Sequence, residues 1–214
     1  LWAESNVGAD NPWEFGSYYA WGETETKESY NRLNYMWFSE GVPIKYNFNQ
    51  GPASTRDYCS KLSFGDDAAR NNKGIHWRMP TNEEMSELEA NCVREESVME
   101  GVKGVLFTSK INGNKLFFPL AGWMSEASAL GAGEFGHYWS SSLYISDEIF
   151  AWSLDVYPTT AVEIQDRSYG CTIRPVYQTE IPVESVSINP KSAVLFVGDV
   201  IQLVPTVYPE CASY

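Results

Sequence analysis

From Tyr138 onward the chain is written in short alternating runs, a pattern few folds accommodate. Strand-length segments fall at 138–142, 150–156, 161–165 and 171–177. Trp152, Leu154 and Val156 alternate with Ser153 and Asp155, and Val162 and Ile164 alternate with Glu163 and Gln165. Successive side chains of a strand point to opposite faces, so this period of two predicts a sheet buried on one face. The same logic turns Cys171 and Ile173 inward and Thr172 and Arg174 outward. Residues 143–150 break the alternation. Tyr144, Ile145, Asp147, Ile149 and Phe150 follow neither a strand nor a helical repeat, so their side chains answer to something other than the core.

Earlier segments read differently. Residues 16–21 predict a short strand closed by a turn at Gly22, and 65–72 a short helix. The clearest helix lies within 78–92, where Thr81 can cap the start and Glu84, three residues on, completes a capping box. Met85, Leu88 and Cys92 then share one face. Its glutamates, Glu83, Glu84, Glu87 and Glu89, form a solvated outer face. Asn112-Gly113 supplies a tight turn, which makes 105–123 a hairpin. Residues 23–64 predict a long irregular excursion stapled by Tyr35, Trp37, Phe38, Tyr46 and Phe48; loops of that length usually carry function or their own packing. After Thr179 the texture changes to strand-like runs around Gly198-Asp199, with Pro182 marking a linker. Two or three strands cannot hide both faces of a sheet, so this tail is expected to be an incomplete all-β unit that leans on the first or continues further.

Composition removes several functional classes. A net charge of −13 over 214 residues opposes the counterion release on which nucleic-acid binding depends, and an anionic membrane surface repels it equally. No run of about 18 apolar residues is present to span a bilayer. Cys59, Cys92, Cys171 and Cys211 form no CxxC pair; isolated buried thiols are the favoured reading, although four cysteines permit three disulfide pairings. The two histidines, His76 and His137, sit beside aromatic residues and read as structural. Asp66-Asp67 suits a helix start and does not converge on one substrate. Asp147, Glu148, Asp155, Glu163 and Asp166 could offer oxygen to calcium, but their spacing is no recognised loop, so neither a metal nor a cofactor is expected.

Five phrases occur in order: YYAWGETE, HWRMPTNEE, FFPLAGW, YWSSS and YGCTIRPV. Together they resemble the C-type-lectin-like domains abundant in Bacteroidetes and Fibrobacter surface proteins, the Fibrobacter succinogenes major paralogous domain type, which is distantly similar to the formylglycine-generating enzyme fold. The resemblance covers residues 1 to about 176. Residues 183–210, through VESVSINPKSAVLFVGD and QLVPTVYPE, resemble the start of a bacterial group 2 immunoglobulin-like domain. The resemblance implies an α+β domain over 1–178, with two helices on a small twisted antiparallel sheet and long loops, followed by a partial all-β unit over 179–214. It implies a framework role for Trp77, Pro80, Trp123 and Trp139. Formylglycine-generating enzymes use two neighbouring late cysteines, and Cys171 stands alone, so that chemistry is absent. The Glu-Pro-Asn and Trp-Asn-Asp strings of calcium-dependent sugar binders are also absent. In some relatives the segment between YWSSS and RPV is an exposed face diversified by retroelements; this chain has no Asn from Tyr138 to Tyr177, where many relatives are Asn-rich.

Aromatic residues beside carboxylates supply contact area together with orientation, the make-up of a recognition patch. The expected ligand-binding set is Tyr144, Ile145, Asp147, Ile149, Phe150, Ser153, Asp155, Tyr157, Glu163, Gln165 and Asp166. The expected function is non-enzymatic capture of a host or bacterial surface protein or glycan, at the cell surface or after secretion, without nucleic acid or membrane insertion. The alternatives are a degenerate relative of the formylglycine-generating enzymes and a structural subunit of a surface assembly.

Overall fold

The alternating runs form a three-stranded antiparallel sheet that organises the larger part of the protein. A computed structural model describes residues 1–156 and 161–208, in two units, Leu1–Tyr177 and Gln178–Tyr214. In chain order the strands are β1 (Phe38–Ser39), β2 (Val42–Pro43), β3 (Trp77–Arg78), β4 (Cys92–Met99), β5 (Val102–Ser109), β6 (Lys115–Pro119), β7 (Trp123–Ser125), β8 (Ser128–Leu130), β9 (Gly136–Leu143), β10 (Phe150–Val156), β11 (Ala161–Asp166), β12 (Val176–Tyr177), β13 (Ser185–Asn189) and β14 (Val204–Tyr208). The described helices are α1 (Ala68–Lys73) and α2 (Asn82–Asn91), with short 3-10 turns at 53–55 and 64–66.

The central sheet runs β11-β10-β9. Leu154 of β10 lies opposite Tyr138 of β9 and Val162 of β11. On that face Leu154, Val156 and Tyr138 pack with Met85 and Leu88 of α2 and with Phe107 and Phe118 of the β5–β6 hairpin. On the other face Trp139, Leu143 and Ala151 join Cys171, Ile173, Tyr19 and Trp21. The sheet is therefore buried on both sides, and the one-buried-face expectation fails at several positions. Ser153 is 0% exposed. Thr172 and Arg174, expected outward, are fully buried as well. Arg174 is accommodated because its donors are satisfied: Nε by Asn6 Oδ1 at 2.7 Å, Nη1 by the Glu4 carbonyl at 2.5 Å and Nη2 by the Phe117 carbonyl at 2.8 Å. A buried cation is tolerable only under such conditions.

The local signals around α2 behave as chemistry dictates. Thr81 Oγ1 accepts from the Glu84 amide and Glu84 accepts from the Thr81 amide, so both halves of the capping box form. Arg78 adds a two-pronged contact to Glu84 at 2.6 and 2.7 Å. The chain turns at Asn112-Gly113, with Gly113 at φ 74°, and β5 pairs with β6 across it. On the far side of β5 lies β4, a strand the hydropathy pattern does not announce because most of its residues on both faces are exposed.

The fold class differs from expectation. Among the described residues the structure is mostly β, at 37% strand and 11% helix, and its strands are divided among six small antiparallel sheets. It is not the two-helix α+β, C-type-lectin-like arrangement that the resemblance implied. The reason lies in the irregular regions. Residues 1–64 contribute no α-helix; they are tied in by single bridges such as Trp2 with Val176, Tyr19 with Cys171 and Lys61 with Ser142. The strand expected at 16–21 is reduced to the Tyr19 bridge.

The excursion at 23–64 has its own packing. Tyr30, Tyr35 and Phe38 pack with Ala20, and Tyr46 joins the main core. At their junction sits the fully buried Arg167. Its guanidinium carbon lies 4.8 Å from the Trp21 ring and 5.3 Å from Phe38, and it donates to the carbonyls of Glu148 and Lys45 and to Tyr35 Oη. In the second unit β13 pairs with β14, and Phe196 and Asp199 close a turn through two hydrogen bonds. Val186, Ile188 and Val204 of this pair remain exposed.

Candidate functional site

The ten expected contact residues that the structure describes do not form one face; the sheet sorts them into three places. The first is the loop between β9 and β10. Tyr144 is half-buried with its ring edge against Trp152 at 5.1 Å, and Ile145 beyond it is 49% exposed. Asp147 accepts from the Gln50 side chain at 2.8 Å and from the Ile149 amide. Phe150 is half-buried, and its carbonyl closes the loop by accepting from the Tyr144 amide at 3.2 Å.

The second place is interior. Ile149 packs against the Tyr30–Tyr35–Phe38 cluster. Asp166 is buried, bonded to the Ser168 amide and hydroxyl and to the Arg32 guanidinium at 2.5–2.6 Å. Asp166, and Ser153 with its 0% exposure, are framework and not contact surface, whereas Ile149 is half-buried.

The third place is the opposite end of the sheet. Asp155 of β10 faces His137 of β9, with Nδ1 to Oδ1 at 2.6 Å. Ser153 Oγ donates to the same oxygen at 2.8 Å, and the Gln165 amide lies 3.1 Å from Nδ1. Glu163 is exposed on the same face of β11. Tyr157 lies outside the described residues.

What rigidifies the first place was not visible in the pattern. Glu148 is 1% exposed, and its carboxylate accepts from the backbone amides of Asn49 at 2.7 Å and Gln50 at 3.2 Å. A second tie runs along β9: the Leu143 amide donates to the Ser60 carbonyl at 2.8 Å and Leu62 to Ser141 at 2.9 Å. This pairing carries Tyr58 and Cys59 to the foot of the 144–149 loop. Tyr58 is 62% exposed, sits at φ 55° and is propped edge-on against Phe48 at 5.7 Å. A bulky residue in the left-handed region is strained, and strain of this kind concentrates where function holds it in place. Asp57 enforces the turn by accepting from the amides of Tyr46, Asn47 and Cys59.

Among the described residues no thiol is activated. Cys59, Cys92 and Cys171 are free, and burial pushes all three pKa values up, with the Asp57 carboxylate adding to the effect at Cys59. Reactive cysteines need the opposite environment. His137 is 8% exposed, directed at a carboxylate and edge-on to Trp123, whereas His76 stacks on Tyr177. The His137 ring directs its Nδ1 at Asp155 and Gln165.

Comparison with known proteins gives no guide: no family model, curated protein or solved structure matches the chain.

Proposed function

We propose that the chain is a non-enzymatic binding module, displayed at a cell surface or secreted, whose loops 46–50, 58–60 and 144–149 grip a protein partner. The observation that carries this reading is the pairing of exposed Tyr58 and Ile145 with a backbone pinned from beneath by the buried Glu148 carboxylate. Rigid apolar and aromatic projections lose little freedom on association, which is the property of an interface anchor. The carboxylates around them are already engaged: Asp147 by Gln50, and Glu148 by two amides. A glycan needs unspent hydrogen-bonding groups, so a protein surface is the better fit here than a sugar. The acidic balance of the chain favours a neutral or basic partner.

The test is capture on arrays of bacterial and host surface proteins, with a glycan array in parallel. Tyr58→Ala combined with Ile145→Ala should weaken the recovered protein interaction about tenfold or more while leaving the melting temperature unchanged. Undiminished binding by the double variant, or capture by glycans alone, would refute the assignment.

A further inference from the structure

The end of the β9–β10–β11 sheet remote from these loops presents acceptors that no described residue uses. Asp155 lies five residues along β10 from Phe150, about 16 Å at the usual rise of a strand. Its Oδ1 takes both His137 and Ser153, which leaves Oδ2 open. His137 Nδ1 faces Asp155 Oδ1 and the Gln165 side-chain amide, and its Nε2 has no hydrogen-bond partner among the described residues. Glu163 stands on the same face, opposite Ser153 and diagonal to Asp155. Among the described residues, Asp155 Oδ2, His137 Nε2 and the Glu163 carboxylate accept no hydrogen bond. The His137 side chain is 11% exposed and that of Asp155 22%, so the group is half-sheltered and accessible.

An aromatic wall borders these acceptors. Trp123 and Phe135 stack at 5.1 Å with 25° between their planes, and both meet the His137 ring, at 5.0 and 5.7 Å. A half-buried aromatic pair beside two carboxylates attracts a cation through both the ring quadrupole and the charge. Metal ions would compete for such oxygens, but among the described residues no three His, Cys, Asp or Glu groups are placed to share one. The aromatic wall adds nothing for a metal and much for an organic cation.

We propose that this corner binds an organic cation, a primary ammonium or guanidinium of the kind carried by lysine and arginine side chains. Asp155 and Glu163 receive its N–H groups, and the Trp123–Phe135 pair covers its alkyl or planar part. The site is separate from the loop surface proposed above and stands whether or not that surface binds a protein.

The chain's two histidines make the test direct, because the His137 ring signals can be followed by NMR with His76 as internal control. The uniformly labelled chain is titrated with Nα-acetyl-arginine amide, with cadaverine, and with sodium chloride and calcium chloride at matched ionic strength. The expected result is a saturable shift of His137, absent at His76, with one or both organic cations and with neither salt. A stronger response to the arginine derivative points to a protein side chain as the source, and a stronger response to cadaverine to a free amine. The conservative pair Asp155→Asn and Glu163→Gln, with an unchanged circular dichroism spectrum, should raise the apparent Kd about tenfold or more. The proposal is overturned by the absence of a saturable His137 shift, by an equal shift in either salt, or by a titration that the double variant leaves intact.

Discussion

Glu148→Ala offers the sharpest probe of how the loops are held. The carboxylate is 1% exposed and accepts two backbone amides, from Asn49 and Gln50. Hydrogen bonds to a charged acceptor are worth about 1.5–3 kcal/mol each, so the pair contributes roughly 3–6 kcal/mol. Removing the charge also returns part of the cost of burying it, which brings the expected loss to about 3 kcal/mol. For a unit the size of Leu1–Tyr177, each kcal/mol moves Tm by about 2–4 °C, so the melting point should fall by roughly 6–12 °C. Glu148→Gln keeps one acceptor and should cost about half as much. Thermal unfolding by circular dichroism measures the total, and native-state hydrogen exchange locates it. The Asn49 and Gln50 amides should lose protection in excess of the global change, whereas amides of α2 should follow the global change alone. Retained protection at Asn49 and Gln50, or a Tm loss under about 2 °C, would refute the claim that this carboxylate pins the two loops together.

Other consequences concern the framework. Thr81→Ala removes half of the capping box on α2 and should cost about 1 kcal/mol in chemical denaturation. At the partner position, burial pushes the Glu84 carboxyl up, but the Arg78 fork and the Thr81 amide outweigh it and hold its pKa below the usual value. Its contribution is therefore present above the ordinary glutamate pKa and is lost as pH falls through the lowered folded value; Glu84→Gln should flatten that acid limb of the stability curve. Burial moves the phenols of Tyr18 and Tyr138 up to about 12, and those of Tyr30, Tyr35 and Tyr46 in the same direction. These folded values lie above the unfolded one, so their stabilisation is complete below about pH 10 and disappears as pH rises toward 12. Alkaline titration should show phenolate absorbance and loss of structure rising together; smooth titration of all tyrosines near pH 10 with the fold intact would contradict it. Arg167→Lys cannot reproduce the fork to Tyr35 Oη, Glu148 O and Lys45 O and should destabilise the protein by about 3 kcal/mol or more, measured by urea unfolding.

Features encoded over a few residues were readable in the sequence. Thr81 and Glu84 are three apart and cap α2 in the way that spacing requires, and Asn112-Gly113 turns the β5–β6 hairpin. The alternation of Trp152, Leu154 and Val156 correctly marks β10 as a strand. It cannot reveal that the opposite face is covered too, because that cover comes from Trp21, Cys171 and Ile173, whose approach no local period encodes. Arg174 misleads for a related reason. A charged residue in an alternating run reads as solvent-facing, and only Asn6 Oδ1 and the carbonyls of Ala3, Glu4 and Phe117, far away in the chain, make its burial affordable. The overall class failed at the same level: a helix and several strands were recognisable one by one, but their division among six small sheets depends on how residues 1–64 thread between them.

The candidate surface divides along the same line. Ile145 departs from the alternation and is indeed exposed, because a side chain excluded from the core pattern has no buried position waiting for it. Ile149 and Asp166 depart from expectation because loop 23–64 folds over them, bringing the Tyr30–Tyr35–Phe38 cluster to one and Arg32 to the other. That loop also supplies what the β9–β10 segment lacks. Tyr58 is the most exposed aromatic ring described in the unit Leu1–Tyr177, yet nothing in its neighbours along the sequence links it to Ile145; the link is the Ser60–Leu143 hydrogen bond, across more than eighty residues. The same logic places His137 at the other end of the sheet. Beside Tyr138 in sequence it resembles a structural histidine, and only the β9–β10 register sets it against Asp155, where Nδ1 is committed and Nε2 has no hydrogen-bond partner among the described residues. The geometry proposed at each end of the sheet is thus set by register and by loops, neither of which the strand pattern contains.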